Sequence, residues 1–400
     1  MEIETLKRMI GMMSVCIADG KAYISNRFYN ALIIYNIQEG KVEKAERFVH
    51  MDASSFAYHG GCVEHNGTVY FFPDNGYGVH AYHVDSGCQK HYDFGFCQVG
   101  YARVFGEELV LFPWHAKQGL LTIDLNKETG NARKDWWDAD RILGDLGSDS
   151  LYSGTYDDDK VWSHCVKSNC LLITDYRNRS IEKYTINTEE KLLYGSAYDG
   201  NDFWFTAIGK DIIYQWNIND GLKKCYSPGF VVDGKTEDYP PCRKIACAEG
   251  HVFLIPCNEN ALFLLNKETG TMEKLSQFPA ETIYPRAKYW GVFEKIYKNK
   301  LYLFCDVTDL LIQVDLDNLN VRYINTQIIG DQTFEKYVKQ IWGSILSEMR
   351  ERDWLYENGY DWKTWLSNFM RFEEEIHRSN TEAFRPGNIG GRIYREVMQK

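Results

Sequence analysis

Short apolar runs, each closed by a polar turn, recur along most of this chain. Asn66-Gly67-Thr68-Val69-Tyr70-Phe71-Phe72-Pro73 shows the pattern most clearly. It reads as a polar turn, a short aromatic strand, and a proline whose missing N–H ends the ladder. A loop over 74–77 follows, then a second strand over 79–84, a turn at Ser86-Gly87 and a third short strand ending near Phe94. The unit then repeats. Positions equivalent to Tyr70 are Tyr23, Val110, Trp162, Phe203, Phe253 and Tyr302. Each is followed by a polar landmark, at Asn36, His83, Asp124, Asp175, Asn217, Asn266 and Asp315. The spacing is 13 residues in five copies and 14 in two, a register that chance would not hold seven times.

Each copy fits four antiparallel strands. They are expected near 15–18, 22–25, 31–37 and 42–48 in the first copy, and near 245–249, 252–255, 261–266 and 272–275 in the sixth. Glycine stands in the turns before the fourth strand, at Gly40, Gly87, Gly130, Gly221 and Gly270. The average period of about 45 residues lies in the range of propeller repeats. Small residues recur on the expected innermost strands, where strands converging on an axis leave little room. They include Gly60-Gly61-Cys62, Gly100-Tyr101-Ala102, Ser153-Gly154-Thr155, Gly195-Ser196-Ala197, Ala246-Cys247-Ala248 and Gly291-Val292. Pro73, Pro113 and Pro256 share one repeat position, the end of the second strand. The expectation is an all-β chain, a seven-bladed β-propeller of four-stranded antiparallel blades, with the fourth blade after the long linker 138–149 the least regular.

The unit Asn66-Gly67-Thr68-Val69-Tyr70-Phe71-Phe72 with its following Val79-His80-Ala81-Tyr82-His83-Val84, and the segment Leu264-Leu265-Asn266-Lys267-Glu268-Thr269-Gly270, resemble a kelch-type β-propeller repeat over roughly 14–326. The resemblance implies the fold. It departs from the family where a Gly-Gly pair would follow the second strand, since Phe-Pro or Ile-Pro often stands there, and the last-strand Trp appears clearly only at Trp136-Trp137.

After Gly330 the period changes from strand to helix. Phe334, Val338, Ile341, Ile345 and Met349 recur at helical spacing, as do Trp362, Trp365, Phe369, Phe372 and Ile376 behind an N-cap at Asp361. The organisation expected is an N-terminal segment (1–13), the propeller (14–327) and a C-terminal α-helical extension packed on it (328–400).

The net charge of −11 argues against a general nucleic-acid binder, which needs surplus Lys and Arg against phosphates. The first residues hold no apolar leader and no long apolar run suits a membrane helix. The 11 cysteines form no C-x-x-C pair, which suits buried thiols in a reducing compartment, so the cytoplasm is expected. Metal and cofactor are not expected. His80 and His83 fall on opposite faces of a strand, Cys165/Cys170 and Cys242/Cys247 lack the partner pairs a zinc site needs, and no nucleotide or hydrolase motif occurs.

In a propeller the second-to-third loops and the inter-blade loops meet at one end of the channel. The former offer Arg27, Trp114, His115 and Glu259; the latter offer His59, Arg243, Lys244 and the run Tyr284, Arg286, Lys288, Tyr289 and Trp290. Cations interleaved with aromatics suit a small anionic or glycan-like ligand, with rings stacking while Arg bonds bidentately; a protein partner, or plainly solvated loops, are the alternatives. The first reading is a non-catalytic binding module. The second is an enzyme, a lyase or epimerase acting on a sugar or acidic carbohydrate, with acid–base groups drawn from His59, His115 and His164 and from Glu259, Glu281 or Glu294. Nothing in the sequence sets the oligomeric state.

Overall fold

The computed structural model describes residues 12–26, 31–51, 59–74, 76–126, 129–133, 136–144, 150–166, 168–190, 192–230, 241–256, 259, 261–278, 292–305, 310–328, 331–337 and 340. They form seven four-stranded sheets, each antiparallel and each built from strands consecutive in the chain. Blade 1 is β1 (Met12–Ala18), β2 (Lys21–Asn26), β3 (Ala31–Asn36) and β4 (Lys41–Arg47). Blade 2 is β5 (His59–His65), β6 (Thr68–Pro73), β7 (Gly76–His83) and β8 (Gln89–Cys97). Blade 3 is β9 (Val99–Phe105), β10 (Glu108–Pro113), β11 (Leu121–Asp124) and β12 (Thr129–Arg133). Blade 4 is β13 (Leu151–Thr155), β14 (Lys160–Cys165), β15 (Cys170–Asp175) and β16 (Ser180–Thr185). Blade 5 is β17 (Leu193–Tyr198), β18 (Phe203–Ala207), β19 (Ile213–Asn217) and β20 (Gly221–Tyr226). Blade 6 is β21 (Cys242–Ala248), β22 (His251–Pro256), β23 (Ala261–Leu265) and β24 (Met272–Gln277). Blade 7 is β25 (Val292–Tyr297), β26 (Lys300–Cys305), β27 (Leu310–Asp315) and β28 (Val321–Asn325). The fourth blade is therefore a full member of the ring.

The burial of each strand explains its sequence. A blade is covered on both faces by its neighbours, so its middle strands must be apolar on both sides. β2, β6, β10, β14, β22 and β26 are buried at every position after the first. The outer strands meet solvent, and β16 and β20 are mainly exposed. The core is accordingly a ring of seven apolar layers, each shared by two adjacent blades.

The small residues of the inner strands make room for aromatic rings from the second strand as well as for the narrowing axis. A Cβ on Gly61 would lie 2.1 Å from Cζ of Phe72, and one on Gly154 would lie 2.6 Å from Cζ2 of Trp162. The polar landmarks that close the third strands have a local reason too. Asn36 Oδ1 accepts the N–H groups of Gln38 and Glu39, Asn266 Oδ1 those of Glu268 and Thr269, and Asp315 Oδ1 those of Asp317 and Asn318. Such Asx turns start the hairpin to the outer strand, and Gly40 and Gly270 finish two of them at φ 68° and 74°. Gly130 instead lies inside β12.

Trp136 and Trp137 are not on the last strand of blade 3. They follow β12 and lead into a short helix, α1 (Ala139–Leu143), and Trp137 joins Ala116, Leu120 and Leu143 in the layer between blades 3 and 4. The described part of the linker before blade 4 thus buries Ala139 and Leu143.

Among the described residues no strand is exchanged between blades 7 and 1, and their side chains meet in one apolar layer. Tyr302, Phe304 and Leu311 meet Ile24, Ile33 and Tyr35 there, joined by Ile328, Phe334 and Tyr337 from beyond β28. Residues 332–337 are helical, and Asp331 Oδ1 accepts the N–H groups of Thr333 and Phe334 as their cap. The remaining helical stripes expected, from Ile341 through Ile376, lie outside the described residues.

Candidate functional site

In every blade the start of the innermost strand pairs with the end of the second: Met12 with Asn26, His59 with Pro73, Val99 with Pro113, Leu151 with Cys165, Leu193 with Ala207, Cys242 with Pro256 and Val292 with Cys305. These ends share one face of the ring, and it is the mouth at which a ligand site was expected.

Three rings cross this face over blades 3, 4 and 5. Trp114 meets Tyr152 edge-on at 5.0 Å between centroids, and Tyr152 meets Tyr194 at 5.6 Å. All three are half-buried. Trp114 follows the proline that ends β10, and its backbone is pinned on both sides. Its N–H donates to Gln98 O at 2.9 Å and its carbonyl accepts Leu151 N–H at 2.9 Å, while His115 bridges to Ser150. The inner strand must be bare beneath it, since a Cβ on Gly100 would sit 3.2 Å from the indole and 3.0 Å from Leu151 O. Sequence reasoning found Trp114 and His115 but missed Tyr152 and Tyr194. The available signal was positional: each tyrosine directly precedes the small pair of its inner strand, Ser153-Gly154 and Gly195-Ser196, as Trp290 precedes Gly291.

Two of the three histidines expected at the open face are buried within strands instead. His59 opens β5 at 0% exposure, and His164 lies in β14 at 0%. His59 belongs to a relay across the seam of blades 1 and 2. Ser25 Oγ lies 2.7 Å from His59 Nδ1, His59 Nε2 lies 3.0 Å from His80 Nδ1, and His80 Nε2 lies 2.8 Å from Val49 O. The direction of this chain follows from its end. A carbonyl only accepts, so His80 Nε2 carries hydrogen; the neutral His80 ring then accepts from His59 Nε2–H, and His59 Nδ1 accepts from the Ser25 hydroxyl. Both rings are neutral, because burial and the neighbouring histidines push His59 well below its ordinary pKa and His80 down to about 3. His91 stacks on His80 at 4.4 Å, and Phe48 stands edge-on to His59 at 4.4 Å.

His164 stands opposite Tyr152 in the β13–β14 register, with its ring 4.9 Å from Phe205. Neither ring nitrogen has a hydrogen-bond partner among the described residues, and burial pushes its pKa down to about 3.

Of the expected cations, Lys244 is half-buried and pairs with Glu294 of the next blade at 2.8 Å. Arg243 lies in β21, but its side chain is outside the described residues, as are Arg27, Glu281 and the whole run Tyr284, Arg286, Lys288, Tyr289 and Trp290. Glu259 pairs with Lys274 at 3.7 Å near the blade's outer strand. The structure thus brings together Trp114 with Tyr152 and Tyr194, His115 with Ser150, and Lys244 with Glu294.

No protein-family model matches the chain, and no curated protein matches it in sequence. Solved structures do match in shape. Virginiamycin B lyase from Staphylococcus aureus aligns with a TM-score of 0.54 at 11% identity, covering 74% of this chain and 92% of the lyase. The WD40 repeats of RRP9 align with a TM-score of 0.53 at 6% identity, covering 74% of this chain and 88% of that one. At such identities a likeness carries the fold and nothing of the chemistry. This chain is a seven-bladed β-propeller.

Proposed function

We propose that this protein is a non-catalytic binding module whose channel mouth takes a small, glycan-like ligand. The observation that carries the reading is the run Trp114–Tyr152–Tyr194, three half-buried rings at the face where the loops of the ring converge. Aromatic faces match the apolar face of a sugar ring, while the phenol and indole groups supply hydrogen bonds at the edges. The Lys244–Glu294 pair favours a neutral or weakly anionic ligand over a polyanion. Arg243, Arg286 and Lys288 are the remaining source of anion recognition in this proposal. The non-catalytic part is supported by His59 and His164, since an acid or base must reach its substrate and both are buried at 0% exposure. The kelch type of the repeat and residence in the cytoplasm belong to the same proposal, resting on the unit around Tyr70 and on the unclustered cysteines.

The test is a glycan and uronate array probed with the full chain. A retained sugar should lose about tenfold in Kd in Trp114→Ala, with melting unchanged. An empty array, or binding indifferent to Trp114→Ala and Tyr194→Ala, would sink the glycan reading and leave a protein partner. Turnover of a bound sugar would sink the non-catalytic one.

A further inference from the structure

The chain holds three Asn-Gly pairs, at 66–67, 75–76 and 358–359, and only the first is preceded by Glu and His. Asn66 and Gly67 form the two-residue turn between β5 and β6, closed by the pairing of His65 with Thr68. The turn lies at the end of blade 2 away from the mouth, where His59 pairs with Pro73. Both turn residues are left-handed, at φ 48° and 71°, as a tight hairpin turn requires. The residues just before the turn hold its two outward N–H groups. Gly67 N–H donates to Glu64 Oε1 at 2.8 Å, and Asn66 Nδ2–H donates to His65 Nε2 at 2.9 Å. Glu64 and Asn66 are exposed and His65 is half-buried, so water reaches the group. Nothing crowds the glycine, since even an added Cβ would meet no atom within 4 Å.

We propose that Asn66 is a self-processing modification site, which loses its side-chain amide as ammonia through a succinimide formed with Gly67. Glu64 acts as the base and His65 as the acid. The Gly67 nitrogen attacks Asn66 Cγ while the Glu64 carboxylate, already bonded to that N–H, takes its proton. The carbonyl electrons move onto Oδ1 and a five-membered ring closes. They then return, the Cγ–Nδ2 bond breaks, and Nδ2 leaves as ammonia with a proton from the protonated His65 ring beside it. Glu64 gives its proton back to His65 through solvent, so the net products are the succinimide and ammonia. Water then adds to either ring carbonyl, its hydroxyl to carbon and its hydrogen to nitrogen, leaving aspartate or isoaspartate at position 66. Aspartate places a new negative charge beside Glu64. Isoaspartate lengthens the backbone by a methylene group and sets His65 out of register with Thr68. The site is an age-dependent mark on blade 2, independent of what the mouth binds.

The test incubates the full-length protein near neutral pH, in buffer and in denaturing urea, and maps its peptides by mass spectrometry after digestion in acid. In buffer, the Asn66 peptide should exchange its amide for aspartate and isoaspartate before the Asn75 and Asn358 peptides do. In urea, where the bonds from Glu64 and His65 are lost, that lead should disappear. Glu64→Gln, its fold checked by melting, should slow conversion at Asn66 about tenfold or more and leave Asn75 and Asn358 unchanged. His65→Gln should slow it in the same way. The proposal is overturned if Asn66 keeps its amide while Asn75 or Asn358 converts, if its lead persists in urea, or if its rate ignores Glu64→Gln.

Discussion

His164 is neutral and packed against Phe205, with neither ring nitrogen bonded among the described residues. Together with His59 and His80 it makes the fold acid-sensitive in a calculable direction. Each has a folded pKa below its unfolded value of about 6.5. The unfolded chain therefore binds more protons between the two values, and stability is complete above pH about 6.5 and lost as the pH falls toward the folded value. The slope is about 1.4 kcal/mol per pH unit for a histidine kept neutral by folding, so roughly 2 kcal/mol disappears by pH 5 for each of His80 and His164. His164→Leu removes one share and one unpaired buried polar ring. Denaturant titrations should find it no less stable than the wild type at pH 7, with a loss between pH 7 and 5 smaller by about 2 kcal/mol. An unchanged pH slope would mean that His164 is protonated or bonded in the folded state.

At the scale of elements, the turn between β17 and β18 is bound to the next blade through one carboxylate. Asp199 accepts the N–H groups of Asn201 and Asp202, the Trp204 indole at 2.9 Å and the Lys267 ammonium at 3.0 Å from the third-to-fourth hairpin of blade 6. Its side chain is 2% exposed. Burial raises its pKa, but these donors outweigh burial and hold it below the ordinary carboxylate value. Its contribution is therefore present above pH about 4 and lost as the pH falls through the lowered value, an acid limb separate from that of the histidines. Asp199→Ala leaves the indole and the partly buried ammonium without their acceptor, and should cost about 3 kcal/mol in an equilibrium melt at pH 7. A loss below about 1 kcal/mol would show that water replaces the carboxylate at this seam.

At the scale of the molecule, the question is what holds the first blade against the seventh. The seam between blades 7 and 1 includes residues from beyond the last blade, Ile328, Phe334 and Tyr337. Phe334 and Tyr337 are 5% and 6% exposed, so the start of the C-terminal segment acts as a clasp over the closing seam. Phe334→Ala should cost about 3–5 kcal/mol and lower Tm, and truncation after Gly330 should expose the same layer and lower solubility. A truncated chain that stays monodisperse with an unchanged Tm would rule out the clasp.

The blade count, the strand order and the turn chemistry were legible in the chain because each is local. A landmark such as Asn266 or Asp315 serves backbone N–H groups two and three residues away, and the spacing from Tyr302 to Asp315 spans one hairpin. The candidate site was legible only in part, because its geometry arises between blades. Whether His59 and His164 reach a mouth or a core depends on the neighbouring blade that covers them. The partner of Lys244 comes from the next inner strand, and Tyr152 gains its place by meeting Trp114 and Tyr194 from two other blades. A repeat specifies how each hairpin folds, while the packing of one blade on the next decides which side chains are buried, paired or left facing the channel.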